Sequence, residues 1–180
     1  MAIETEFTPN PNSLKFNTHI TLLESGSAFF TKAGNTESSP FAAKLLELPG
    51  VTEVLINRDF VTVTREAGTE TWSAIIPAVM EILEAHLRSA QPAVLGTAAA
   101  SPANQSDIER RIRQVLDEQV RPAVARDGGD IIFYGYQDGV VTLHLQGACS
   151  TCPSSMATLK SGVERLLCDA IPEVREVVQA

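Results

Sequence analysis

The chain has 180 residues, 44% of them hydrophobic, and a formal net charge of −8 with a sequence pI near 4.9. That length fits one large domain or two small ones. An acidic chain without a basic run offers no electrostatic footprint for nucleic acid, and no apolar run approaches the roughly 18 residues that cross a bilayer.

The N-terminal stretch MAIETEFTPNPNS has neither the apolar centre of a signal peptide nor the Arg-rich character of a transit peptide, so the expected location is cytoplasmic. SLKFNT, after the turn-forming PNPNS, reads as a short strand, and SAFFT as a second. SSPFAAKLLELPG has a capping serine, a proline at the helix start and a Pro-Gly stop, the marks of a short helix. VTEVLIN and FVTVTRE flank Arg58-Asp59 and alternate as a hairpin does. In WSAIIPAVMEILEAHL, Ile75, Val79, Ile82, Leu83 and Leu87 repeat at helical spacing. The order is ββαββα over residues 1–88, with Trp72 expected in the core.

Residues 89–105, SAQPAVLGTAAASPANQ, are rich in Ala, Pro, Ser and Gly, carry no charge, and are read as a linker. From 106 to 180 a second domain is expected. Ser106-x-x-Glu109 is a capping box, and Ile108, Ile112, Val115, Leu116, Val120 and Val124 follow at helical intervals. Pro122 is expected to end or kink that helix, because it has no N–H to donate. Gln137-Asp138-Gly139 separates IIFYGY from VVTLHLQ, a hairpin signal. In the second strand Val141, Leu143 and Leu145 share one face, and Thr142, His144 and Gln146 the other. A helix from about Pro153 carries an apolar stripe of Met156, Leu159, Val163, Leu166, Leu167 and Ala170. PEVREVV closes the chain as a strand, giving αββαβ. Both halves belong to the α+β class, the first with its helices on one face of the sheet.

Three cysteines, Cys149, Cys152 and Cys168, all fall in the last 32 residues. An odd, low count without a secretory signal argues against a disulfide framework. Cys149 and Cys152 form a C-x-x-C pair in a short polar loop. A closed zinc site wants four protein ligands. Cys168 lies 16 residues past Cys152, about 24 Å away along a helix, and is read as a bystander thiol. His144 points to the strand's outer face, while His19 and His86 belong to the other half. A redox dithiol needs only the pair, and a helix start just after Cys152 favours a thiolate. Yet a hairpin precedes the motif, and the proline follows it instead of lying between the cysteines. An iron–sulfur cluster wants four ligands, and two chains about a two-fold axis supply them. Small residues at Gly147, Ala148, Ser150, Thr151, Ser154 and Ser155 suit two loops approaching closely. Asp127-Gly128-Gly129-Asp130 reads as a tight turn in which two glycines take unusual backbone angles. Lys160 reads as a solvated helix lysine, with steadying an anionic cluster as its functional alternative.

These stretches resemble a known family. LQGACSTCPSSMATLKSGVERLL, IPEVREVV and the earlier RPAVARDGGDIIFYGYQDGVVTLHL are similar to the C-terminal domain of NifU-like (Nfu) proteins, from about Ile108 to Val178. FTPNPNSLKF and SPFAAKLLELPGVTEVLINRDFVTVTRE resemble the N-terminal domain of the same proteins. The resemblance implies that Cys149 and Cys152 from two chains bind one [4Fe–4S] cluster. It implies a homodimer formed on cluster binding, which takes the cluster from an upstream assembly scaffold and carries it to apo iron–sulfur proteins. No turnover of an enzyme kind is implied. The first domain is expected to dock targets. A thiol–disulfide oxidoreductase and a zinc-bridged dimer are the alternatives for the same pair.

Overall fold

The computed structural model describes residues 3–69, 71–95, 106–150 and 153–180, with side chains from 160 onward in the last stretch. The chain forms two compact units, Met1–Ala99 and Ala100–Ala180.

The first unit holds an antiparallel sheet of five strands: β1 (Glu4–Phe7), β2 (Ser13–Asn17), β3 (Ala28–Thr31), β4 (Val51–Ile56) and β5 (Phe60–Arg65), in the order β1-β2-β5-β4-β3. Alternate residues Leu14, Phe16, Val54, Ile56, Val61 and Val63 are buried in one cluster with residues of two helices. These are α1 (Pro40–Leu46) and α2 (Trp72–Ser89). Period-two alternation on the strands and the i, i+4 set Ile75, Val79, Leu83 on α2 therefore meet face to face. Ser39 caps α1, accepting from the Ala42 N–H at 3.0 Å, with Pro40 in the first helical turn, where a missing N–H is no loss. Trp72 is only partly buried; its indole N–H donates to the Pro11 carbonyl, and the Arg65 guanidinium lies over its ring.

Two features depart from the sequence reading. Strand β1 was not expected; all four of its residues are exposed, Phe7 by 84%, so no alternation betrays it. The linker was expected from residue 89. Ala90, with φ +50°, ends α2, and the chain then returns to the unit: Ala93 and Val94 enter the core. Ser39 Oγ donates to the Ala93 carbonyl at 2.6 Å, and the Leu95 N–H donates to the Ser38 carbonyl at 2.6 Å. The packed unit thus extends at least to Leu95. The rest of the expected linker, 96–105, lies outside the described residues.

The second unit begins with α3 (Asp107–Val115), whose capping box is complete: Ser106 Oγ accepts from the Glu109 N–H, and the Glu109 carboxylate accepts from the Ser106 N–H. A π-turn (Leu116–Val120) follows, then α4 (Arg121–Arg126). The sequence explains the wide turn. Ile112, Leu116, Val120 and Val124 are all buried and stand four apart. Each such step overshoots an α-helical turn by about 40°, and a wider turn absorbs part of that drift. Pro122 comes just after it, and the Arg121 N–H bonds to the Leu116 carbonyl, five residues back. The expected kink is therefore taken up as a π-turn.

Strands β6 (Gly129–Gln137) and β7 (Val140–Gly147) form the expected hairpin. Asp138 and Gly139 both take positive φ, 52° and 87°, as a two-residue type I′ turn requires. Helix α5 (Pro153–Ala170) crosses over to β8 (Glu176–Gln179), which pairs parallel with β7. The sheet order is β6-β7-β8. On α5 the described buried face is Val163 and Leu167, continued by Ile171; Leu166 and Ala170, expected in the stripe, face outward. Met156 and Leu159 have no described side chains.

Candidate functional site

Strand β7 delivers Cys149. The strand ends at Gly147, whose φ of +69° turns the chain. The Ala148 N–H donates to the Gly128 carbonyl at 3.2 Å. Ser150 donates twice to the Gly147 carbonyl, from its N–H at 3.0 Å and its hydroxyl at 2.7 Å. Cys149 sits in the middle of this pinned turn. Although the sequence places it in a short polar loop, Cys149 is 3% exposed and belongs to the buried cluster with Ile131, Leu145, Val163 and Leu167. The tight turn folds the small thiol inward, where it behaves as a compact apolar group.

The surface beneath it is the Asp-Gly-Gly-Asp turn. Asp127 ends α4, and Gly128, with φ +77°, reverses the chain in the left-handed conformation that glycine takes without strain. Gly129 opens β6 opposite Gly147 and is needed for a different reason. A Cβ built there would stand 2.6 Å from Cys149 Sγ and 2.9 Å from the Gln146 carbonyl oxygen. So one glycine serves backbone angle and the other close approach, which corrects the expectation that both serve angle. Asp130, almost fully buried, has its carboxylate 3.7 Å from Arg121 Nε.

The other described candidates of the second unit, His144, Lys160 and Cys168, stand on β7 and α5. Cys152 lies outside the described residues. His144 is on the outer face of β7, where its Nδ1 is 3.2 Å from the Ala180 carbonyl and its ring meets the edge of Tyr134. Cys168 is a partly buried free thiol packed against the core; burial first, then Glu164 and Asp169, push its pKa up, so it is a poor thiolate. Lys160 is exposed. In the first unit His19 pairs with Glu4, and His86 stacks on Phe41. Among the described residues no group of three or more His, Cys, Asp or Glu stands together as a metal site, and no helix is long and apolar enough to cross a membrane.

Comparison with known proteins covers both units. Residues 3–90 match the family model described as scaffold protein Nfu/NifU N terminal, and residues 112–178 match the NifU-like domain. The chain belongs to the Nfu/NifU-like family. It is 43% identical over 185 aligned residues to a Drosophila erecta protein named NFU1 iron-sulfur cluster scaffold homolog, mitochondrial, covering 99% of this chain and 65% of that one. The Homo sapiens protein of the same name is 38% identical, with 99% and 72% covered. This chain thus spans about two thirds of the length of these relatives. Among solved structures, a NifU-like protein from Saccharomyces cerevisiae is similar over 52% of this chain and 84% of its own, at 26% identity and a TM-score of 0.47.

In this Nfu chain the NifU-like match takes in the glycine turn, both strands of the hairpin and the cysteine pair. The pair is legible in the sequence; what holds Cys149 is not. Gly129 was visible only as part of a turn motif. Arg121 carried no signal, because its partners Asp130 and Ile131 lie nine and ten residues away on another element.

Proposed function

We propose that this Nfu chain is an iron–sulfur cluster scaffold and carrier, in which Cys149 and Cys152 from two copies hold one [4Fe–4S] cluster as cargo. The observation that carries the reading is the placement of Cys149. Cys149, the first thiol of the pair, stands just past the end of β7, in a turn pinned through Gly147, Ala148 and Ser150, within the part of the chain that matches the NifU-like domain. The names of the relatives support an iron–sulfur role. The donor set supports sharing. Two thiolates from one chain are half of what a cubane takes, and among the described residues no His or acidic cluster supplies the rest.

Delivery is ligand exchange, not turnover of a substrate by an enzyme. A thiolate of an apo-protein binds iron as the Cys149 or Cys152 thiolate leaves and takes up a proton. No electron is transferred, and repetition at each iron moves the cluster. The proton lost by the incoming thiol goes to solvent. An upstream scaffold donates the cluster by the reverse steps. Burial of Cys149 adds a requirement: the turn must open for the sulfur to reach iron.

The test is anaerobic reconstitution with iron and sulfide, followed by iron and sulfide content and solution mass. About two irons and two sulfides per chain in a dimer is the expected result. A monomer that retains no iron overturns the reading.

A further inference from the structure

Cys149 rests on Gly129, and the strand carrying Gly129 is itself gripped from another element. Arg121 is the first residue after the π-turn. Its Nη2 donates to the Ile131 carbonyl at 3.3 Å, and its Nε lies 3.7 Å from Asp130 Oδ1 and 3.1 Å from Asp117 Oδ1. The two carboxylates differ in setting: the Asp130 side chain is 3% exposed and that of Asp117 59%. Removing the counter-charge of a buried carboxylate is far more disruptive than removing that of an exposed one. The grip on Asp130 is therefore the one that matters.

Its position on the strand is telling. β6 is an edge of its sheet, and Arg121 holds two successive residues, 130 and 131, directly after Gly129. Gly129 in turn pairs with Gly147, and the Gly128 carbonyl receives the Ala148 N–H. A continuous line of contacts runs from the guanidinium through Asp130 and Gly129 to the sulfur of Cys149. The π-turn makes the reach. One extra residue in a turn rotates the rest of the helix by about 100°. Ile112 and Leu116 can then face the core while Arg121 meets the edge strand.

We propose that Arg121 is a positioning residue for the Cys149 thiol, acting through Asp130 and the Gly129 shelf. It touches no cargo. It sets how often the turn at 147–150 opens, and so when Cys149 is available to bind or release iron. The consequence for cargo rests on the proposed function; the positioning itself does not, and is tested on the metal-free chain.

The experiment compares reduced, metal-free full-length protein as wild type, Arg121→Met, Arg121→Lys and Asp130→Asn. Iodoacetamide labelling at fixed pH is followed site by site by peptide mass spectrometry. Cys168 packs against the same core and reports general loosening of the unit. The expected result is a rise of about tenfold in the Cys149-to-Cys168 rate ratio for Arg121→Met, which loses the charged donor to the Ile131 carbonyl, the factor that loss of one charge-assisted bond gives a local opening equilibrium, and a rise in the same direction for Asp130→Asn, which loses the ion pair. Arg121→Lys should rise less, since it keeps a cation beside Asp130 but loses the fork. An unchanged ratio, whether both sites speed up together or neither does, overturns the proposal. Should Arg121→Met lose its far-UV circular dichroism, the other two variants decide by the same ratio. Reconstitution is scored separately. A shifted ratio in a protein that never loads iron leaves the positioning intact and removes the carrier reading.

Discussion

Cys149 and Gly129 meet across the β6–β7 pair at a distance only glycine permits: a Cβ on residue 129 would stand 2.6 Å from the cysteine sulfur. The sulfur is not the only obstacle. The Gln146 carbonyl oxygen would be 2.9 Å from the same Cβ, and a strand carbonyl cannot swing aside as a side chain can. Gly129→Ala should therefore destabilise the second unit by about 1–3 kcal/mol, the usual penalty of overpacking. It should also push the Cys149 turn outward. Thermal unfolding by circular dichroism measures the first effect and Cys149 labelling the second. A variant with unchanged melting and unchanged labelling would show that the contact is slack.

The three cysteines should divide sharply. Cys149→Ala or Cys152→Ala should abolish retention of iron after reconstitution, and with it any cluster-dependent dimer. Cys168→Ala should keep both, because its thiol is held protonated by burial and by the neighbouring Glu164 and Asp169. Iron per chain and solution mass, measured on all three, decide the matter. Cluster retention by Cys149→Ala would sink the ligand assignment.

Where the sequence spoke, it spoke through local chemistry. The capping box at Ser106 and Glu109, the Asp138-Gly139 turn and the alternation of Val141, Leu143 and Leu145 each state their structure within a few residues, and each is found. What went unread depends on distance. Strand β1 is defined by pairing with β2 and buries nothing of its own. Ala93 and Val94 look like linker by composition, but are fixed by a hydrogen bond to Ser39, 54 residues earlier. Leu166 fits the stripe of α5 by spacing, yet the helix is turned so that Val163 and Leu167 face the sheet. At the site the two thiols were legible as a motif. The burial of Cys149 was not, because it follows from the approach of another strand's glycine.

Ser39 ties the segment after α2 to the start of α1, and its loss should be felt at both. Its hydroxyl accepts from the Ala42 N–H and donates to the Ala93 carbonyl, and the side chain is wholly buried. Ser39→Ala removes the cap and leaves a buried carbonyl without this donor. A loss of about 1–3 kcal/mol from the first unit is expected. Trp72 is the only tryptophan in the chain and lies on α2, so urea unfolding followed by its fluorescence reports this unit alone. The same variant should be cut faster by protease after residue 91. A stability within a few tenths of a kcal/mol of wild type would show that the strap is held by Ala93 and Val94 burial instead.

His86 should make the first unit sensitive to mild acid. Its ring stacks on Phe41, with centroids 4.1 Å apart and planes inclined by 21°. Burial first, and the charge of Lys44 second, hold its pKa below the ordinary value of 6.5. In the unfolded chain the imidazole takes up a proton near the ordinary value; in the folded chain it does so only at lower pH. Between the two the unfolded state binds more protons, so stability falls as pH drops below about 6.5 and the loss levels off below the folded pKa. Above 6.5 both states are neutral and this residue contributes no slope. His86→Phe keeps a ring against Phe41 and removes the titration. Urea midpoints by Trp72 fluorescence, taken at pH 7.5 and pH 5.5, should fall more for wild type than for the variant. Equal falls in both would place the acid sensitivity on other groups and show that the imidazole titrates alike in the folded and unfolded chain.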